Sequence, residues 1–249
     1  MCETCGCGLP EEAKRHVHDH GEDRGREHGR TEEAALYRSL LEANERQARE
    51  NRGHLQEHGV FAVNLMSSPG SGKTSLIEAF AAKAAGRIRV GVIEGDLATD
   101  RDAARIAALG LPVHQVTTGS TCHLDAPMVH SALHALPLHD LDLLFVENVG
   151  NLVCPGLYDL GCHLNGVLLS VTEGDDKVAK YPVVFRQCQF LCITKTDLLP
   201  HVTFDPARPR REARILKGDI KTFSCSAKSG EGVEDFLSFL EAERRAALA

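Results

Sequence analysis

A chain of 249 residues has room for one or two domains at roughly 100–200 residues apiece. Its 28 Lys and Arg against 35 Asp and Glu leave a net charge of −7, which excludes a nucleic-acid binder held by general basic excess. No apolar run approaches the ~20 residues of a membrane helix, and the N-terminus carries no signal-peptide core. Nine Cys in a chain this long argue against a disulfide scaffold and for a reduced, cytoplasmic protein.

Residues 1–30 hold seven acids, five bases and four His (His16, His18, His20, His28), with Leu9 and Val17 as their large aliphatics. That is too little apolar surface to offset ordering entropy, and a mobile tail is expected. Thr31 reads as an N-cap with Glu32 and Glu33 in the first turn. Leu36, Tyr37, Leu40, Leu41 and Asn44 continue a helical stripe that Gly53 would stop, predicting a helix over 31–54 packed on the body. The domain proper is expected over 55–249, where strands at 60–66, 89–93, 113–116, 143–146, 166–171, 190–194 and 220–224 alternate with helical stretches such as 125–136 and 233–246. Short apolar strands without polar alternation predict an α/β fold with a mainly parallel sheet flanked by helices.

Directly after the first strand comes Ser67-Ser68-Pro69-Gly70-Ser71-Gly72-Lys73-Thr74. Strand, Gly-rich turn and helix in that order form a phosphate loop, in which backbone N–H groups and the helix dipole converge on the anion. Gly70, Ser71, Gly72, Lys73, Thr74 and Ser75 are the candidate phosphate-binding residues. Lys73 would neutralise the terminal phosphates, and the Thr74 hydroxyl would reach Mg²⁺. Ser67 stands where the motif ordinarily has its first Gly.

The base should be read further along. Thr194-Lys195-Thr196-Asp197 ends a predicted strand, and Asp197 can accept two hydrogen bonds from the guanine N1–H and 2-amino group, a donor pair that adenine lacks. The Lys195 stem can lie over the base, and Ser226-Ala227-Lys228 follows the last strand as a second base-contacting loop. Guanine is therefore favoured over adenine, and GTP is the expected ligand. Between these segments lie two acidic strand ends, Glu94-Gly95-Asp96 and Glu147-Asn148-Val149-Gly150. Thr74, Asp96 and Glu147 are the expected Mg²⁺ group. Asp96 and Asp100 join Lys73 as catalytic candidates, Asp100 by positioning water, and the Gly150 N–H would sense the γ-phosphate.

Two clusters of soft donors lie elsewhere. Cys2, Cys5 and Cys7 form C-x-x-C-x-C, three thiolates able to reach one Ni²⁺ or Zn²⁺, with redox chemistry as the alternative. The tail His residues fit either a low-affinity store or a solvated polar tail. Cys122, His123 and Cys154 form the second cluster, and Cys154 lies four residues beyond Gly150. By spacing alone they fit either a metal site or semi-buried thiols beside a loop His. Cys162 and His163 read as structural, with an extra metal contact left open, and Cys188, Cys192 and Cys225 read as core.

The segments MCETCGCG, SSPGSGKTSL, EGDLATDRDA, GSTCHLDA, ENVGNLVCP, SVTEGDDKVAKYP, TKTDLLP and SAKSGEG span nearly the whole chain. In this set and order they resemble the hydrogenase nickel-incorporation GTPases, the HypB family. The resemblance implies a P-loop GTPase of the signal-recognition and MinD-like class that works as a homodimer. It implies nickel delivery to the large subunit of [NiFe]-hydrogenase, with accessory nickel-maturation proteins as partners and no nucleic acid or membrane. It also implies Cys2, Cys5 and Cys7 as a high-affinity nickel motif, and Cys122, His123 and Cys154 as ligands of a second site near the dimer interface. Slow intrinsic turnover is expected, since no Gln or Arg finger stands out. Delivery to another enzyme such as urease, or metal storage and sensing with a vestigial nucleotide site, are the rival readings.

Overall fold

The computed structural model describes Arg24–Leu248, so Cys2, Cys5, Cys7 and the tail residues His16, His18 and His20 lie outside the described residues. Helix α1 (Arg24–Glu57) starts before Thr31 and runs through Gly53, so neither residue bounds it as expected. A glycine inside a helix costs about 1 kcal/mol relative to Ala without ending it. The stop is Gly59, in the left-handed region at φ 66°. There the Val60 N–H donates to the Leu55 carbonyl at 3.0 Å and the Gly59 N–H to Gln56 at 3.1 Å. Buried Leu55 and Val60 close this Schellman pairing.

The chain divides into two units between Ala43 and Asn44. In the first, Leu36, Tyr37 and Leu40 are exposed. The second holds everything that follows and includes the end of α1, whose Asn44, Ala48, Asn51 and Leu55 are buried.

Seven strands form one sheet in the order β3-β2-β4-β1-β5-β6-β7. They are β1 (Phe61–Ser67), β2 (Val90–Asp96), β3 (Val113–Thr117), β4 (Leu143–Glu147), β5 (Leu164–Ser170), β6 (Phe190–Thr194) and β7 (Lys221–Cys225). Every pairing is parallel. The connecting helices are α2 (Lys73–Ala84), α3 (Arg101–Ala108), α4 (Ala126–Leu133), α5 (Lys177–Lys180), α6 (Pro182–Gln187), α7 (Ala207–Leu216) and α8 (Val233–Ala247).

Strand residues alternate between two faces, and here both faces are apolar. Phe61, Val63 and Leu65 of β1 meet Phe80 of α2 and Phe236 of α8 in one cluster. On the opposite face Ala62 packs with Leu133 of α4, while Met66 packs with Phe185 of α6. Phe80 makes edge contacts with Phe145 at 5.0 Å and Phe236 at 5.9 Å. Its truncation to Ala would cost about 3–5 kcal/mol.

An all-parallel sheet puts every carboxyl strand end on one rim. β1 sits between β4 and β5 at the point where the strand order reverses, the place where such sheets bind ligands. The predicted phosphate loop leaves β1 at that point.

Candidate nucleotide and metal sites

The loop from Ser68 to Gly72 joins β1 to α2, and Lys73 is the first helical residue. Gly70 and Gly72 take φ of 74° and 88°, a conformation that turns the chain tightly enough to aim successive N–H groups inward. Lys73 is buried, and its ammonium donates to Ser67 Oγ at 3.0 Å. Ser67, which replaces the usual glycine, thus holds the lysine. Ser71 Oγ donates to Glu173 Oε1 at 2.6 Å, which brings the SVTEGDDKVAKYP segment to the phosphate loop through a residue to which the sequence reading gives no role.

A cavity of about 710 Å³ opens beside this loop, lined among others by Ser71, Ser75, Thr194, Lys195, Asp197 and Ala227. The structure therefore brings the predicted phosphate and base residues to one pocket. Thr194 Oγ1 donates to the Ser71 carbonyl at 2.6 Å, and Lys195 Nζ to the Gly70 carbonyl at 2.7 Å. These bonds tie the base loop to the phosphate loop, and Thr194 serves this purpose although it is not Asn. Lys195 itself sits at φ 57°, the one positive value outside glycine among the described residues. Ser226 Oγ donates to Asp197 Oδ1 at 2.7 Å and orients the carboxylate that would read the base.

On the other side of Lys73 the acids gather. Thr74 Oγ1 donates to Glu147 Oε1 at 2.8 Å, and Lys73 Nζ lies 3.9 Å from the same oxygen. Burial pushes Glu147 up to about 7 despite the pull of Lys73 and Thr74. Burial, reinforced by the Glu147 and Asp96 carboxylates, pushes Glu94 up to about 8. Carboxylate oxygens of Glu94, Asp102 and Glu147 come within 4.8 Å of one another. Glu94 Oε2 and Glu147 Oε2 are buried without a hydrogen-bond partner. A hard divalent cation such as Mg²⁺ fits these all-oxygen donors.

Asp96 lies outside this group. Its carboxylate accepts from Leu97 N at 2.7 Å, Thr99 N at 3.1 Å and Thr99 Oγ1 at 2.5 Å. Burial raises its pKa, but these bonds outweigh it and hold the group below the ordinary carboxylate value. Asp100, the expected water-positioning residue, is exposed just before α3. Gly150 presses against the phosphate loop: a Cβ there would come 2.9 Å from Pro69 Cα.

The soft donors lie next to this segment. Cys122 and Cys154 Sγ are 3.1 Å apart, and both are free thiols. Ligand atoms of Cys122, His123 and Cys154 fall within 4.8 Å of one another. His123 stacks on Tyr158 at 4.0 Å, and its Nδ1 is buried without a hydrogen-bond partner. Burial lowers its pKa, which keeps the imidazole neutral, the form that binds metals. Burial and the neighbouring Cys154 raise the Cys122 thiol.

Two bonds fasten the 122–124 loop to the 147–154 segment. Leu124 N donates to Asn148 Oδ1 at 3.1 Å, and Asn151 Nδ2 donates to the Cys122 carbonyl at 3.3 Å. Asn151 also bridges to Ser67 at the start of the phosphate loop.

Cys162 and His163 are used structurally. His163 Nδ1 accepts from the Ala62 N–H at 3.0 Å and its ring stacks on Phe61, while burial keeps the Cys162 thiol protonated. Cys188, Cys192 and Cys225 are core residues.

Residues 61–223 match the model of the CobW/HypB/UreG nucleotide-binding domain. The hydrogenase maturation factor HypB of Azotobacter chroococcum is 48% identical over 214 residues, 86% of this chain and 70% of that protein. The chain belongs to the HypB family. The hydrogenase/urease maturation factor HypB of Helicobacter hepaticus is 42% identical, with 82% of this chain and 86% of that protein covered. A crystal structure of Helicobacter pylori HypB in complex with nickel superposes at a TM-score of 0.80, with 40% identity over 83% of this chain and 97% of that one. Membership of the HypB family makes this a P-loop GTPase fold. Among the described residues no helix is long and apolar enough to cross a membrane.

Proposed function

We propose that this chain is a GTP hydrolase whose nucleotide state controls nickel held at Cys122, His123 and Cys154 for delivery during [NiFe]-hydrogenase maturation. One observation carries the reading. The segment from Glu147 to Cys154 touches the nucleotide site at its start through the Thr74–Glu147 bond and supplies a metal-site thiol at its end. Between them Gly150 packs on Pro69, and Asn151 links Ser67 to the Cys122 carbonyl. A γ-phosphate that draws this segment toward Lys73 would shift Cys154 against Cys122.

In this reading Gly70, Ser71, Gly72, Lys73, Thr74 and Ser75 hold the phosphates, while Lys195, Asp197, Ser226, Ala227 and Lys228 hold guanine. Mg²⁺, which supplies charge neutralisation when bound, is held by Thr74 and Glu147 with Glu94 and Asp102 beside them. Asp96 shapes the loop that leads into α3, whose first turn carries Asp102. Turnover without partners is slow, on the order of 10⁻⁴–10⁻³ s⁻¹, as in P-loop GTPases that lack a completed catalytic group. Val153 and Leu157, exposed on either side of Cys154, form an apolar rim by which a second copy would cover the metal site. Cys2, Cys5 and Cys7 serve as a second nickel or zinc ligand set. Partners are the hydrogenase large subunit and accessory nickel-maturation proteins in the cytoplasm. The double name of the Helicobacter hepaticus relative favours urease as a second recipient.

Equilibrium titration of Ni²⁺ and Zn²⁺ with GDP, then with a non-hydrolysable GTP analogue, tests the coupling. Affinities should differ roughly 5–150-fold between the two states. The difference should vanish in Lys73→Ala. Equal affinities in the unaltered chain would overturn the switch.

A further inference from the structure

Two histidine pairs meet where the end of α1 packs on α4, outside the sites above. His54 and His58 are four residues apart, as are His130 and His134, so each pair rises from one side of its helix. The His54 ring lies 4.9 Å from that of His134 and 6.4 Å from that of His130. One ring nitrogen each from His54, His130 and His134 falls within a 4.8 Å group.

Hydrogen bonding decides which nitrogen of His130 is free to coordinate. Asn51 is fully buried, and its Nδ2 donates to the Ala126 carbonyl at 2.9 Å and the Leu160 carbonyl at 3.1 Å. Both amide hydrogens are thereby used, and Asn51 Oδ1 can only accept. It lies 3.0 Å from His130 Nδ1, so Nδ1 carries the proton and Nε2 of the neutral ring carries the lone pair. That lone pair points at His134 Nε2, 3.2 Å away. Two imidazole nitrogens on one tetrahedral ion at 2.0–2.1 Å would be about 3.3 Å apart. An oxygen acceptor on the outer ring N–H is the usual support of a metal-binding histidine, and the Asn51 amide oxygen supplies one here.

We propose that His54, His130 and His134 bind one divalent transition ion, Ni²⁺ or Zn²⁺, as a three-imidazole site distinct from Cys122, His123 and Cys154. Imidazole suits both ions, and neutral nitrogens without thiolate charge make the site weaker and faster to exchange than a cysteine set. His134 is exposed and gives the ion an open approach. Asp125 caps α4 two residues after His123, and five residues, roughly 8 Å of helical rise, separate it from His130. The two groups thus flank the same short helix, His123 before its N-cap and His130 and His134 at its far end.

The test uses the full chain with Cys2, Cys5, Cys7, Cys122 and Cys154 changed to Ser, labelled with ¹⁵N-histidine and titrated with Zn²⁺ alone. The imidazole nitrogen signals of His54, His130 and His134 should move together within the first equivalent. His134→Gln, an exposed change, should weaken that binding at least tenfold and leave the metal-free melting temperature unaltered. In the chain with its cysteines intact, His54→Gln with His134→Gln should lower bound Zn²⁺ by one equivalent at saturation. Zn²⁺ signals confined to His16, His18, His20 and His28, or unchanged affinity and stoichiometry in the variants, would overturn the proposal.

Discussion

Replacing Glu147 with Gln separates the cost of burying this carboxylate from its use. In the metal-free protein burial moves Glu147 from 4.5 to about 7. At about 1.4 kcal/mol per pH unit, that displacement is worth about 3 kcal/mol. The sign follows from the direction. A raised acid is stabilised in its protonated form, so the contribution is complete below pH 4.5 and is lost as pH rises through about 7. Gln cannot ionise, and its amide oxygen still accepts from Thr74. The Glu147→Gln protein should therefore match the parent near pH 4.5 and exceed its stability by up to about 3 kcal/mol at pH 8. Mg²⁺ affinity should move the other way, falling at least about tenfold, because ligand charge sets the affinity of an oxygen site for a hard cation. Urea denaturation at pH 5 and pH 8 without Mg²⁺, alongside Mg²⁺-dependent GTP hydrolysis, measures both. A variant less stable than the parent at pH 8 would refute the account, because Glu147 would then be a net favourable partner of Lys73.

Asp197→Asn removes the carboxylate proposed to accept from two guanine N–H groups. Charge-assisted bonds contribute about 1.5–3 kcal/mol each, so GDP affinity should fall at least 100-fold by fluorescent-nucleotide titration while weak ADP binding stays unchanged. Equal GDP affinity would remove Asp197 from base recognition. Gly150→Ala places a methyl 2.9 Å from Pro69 Cα, backbone that cannot turn aside. Overpacking of this kind costs about 1–3 kcal/mol, and thermal unfolding should shift down by several degrees with GTP hydrolysis reduced. An unshifted melting curve would mean that the 147–151 segment does not rest on the phosphate loop.

Much of the molecule is legible in the sequence. Strand-length apolar runs and a single Gly-rich turn led to a parallel sheet with its phosphate loop after β1, and the order of the base-contacting segments led to one pocket. What escaped prediction depended on local competition or on distant contacts. Glu94 and Asp96 are two apart on one strand and point to the same face, so their spacing cannot say which approaches Glu147. Asp96 is followed three residues later by Thr99, and that spacing favours a turn in which the carboxylate serves its own backbone. Gly53 looked like a helix stop, yet the bonds that end α1 need Gly59 beside a buried Val60. Glu173 lies in the SVTEGDDKVAKYP segment but carries no role there, and the histidine group carries no motif, since Ser71 and Glu173, or His54 and His130, become neighbours only when the sheet has brought their elements together. The i, i+4 spacing of His130 and His134 was the available signal.

The topology also bears on the order in which the chain acquires its abilities. β1 is central, but both of its neighbours are made from residues about 80–100 positions later. Long-range parallel pairings of this kind form late and slowly. Cys122 and Cys154, 32 positions apart, converge only once β4 is seated against β1. During synthesis the domain thiols are thus scattered, and a free ion has no assembled partner there to capture it. Once they converge, an ion bound across them adds its binding free energy to the completed fold. Loading of this site would then report that the molecule has finished folding, before any cargo is handed on.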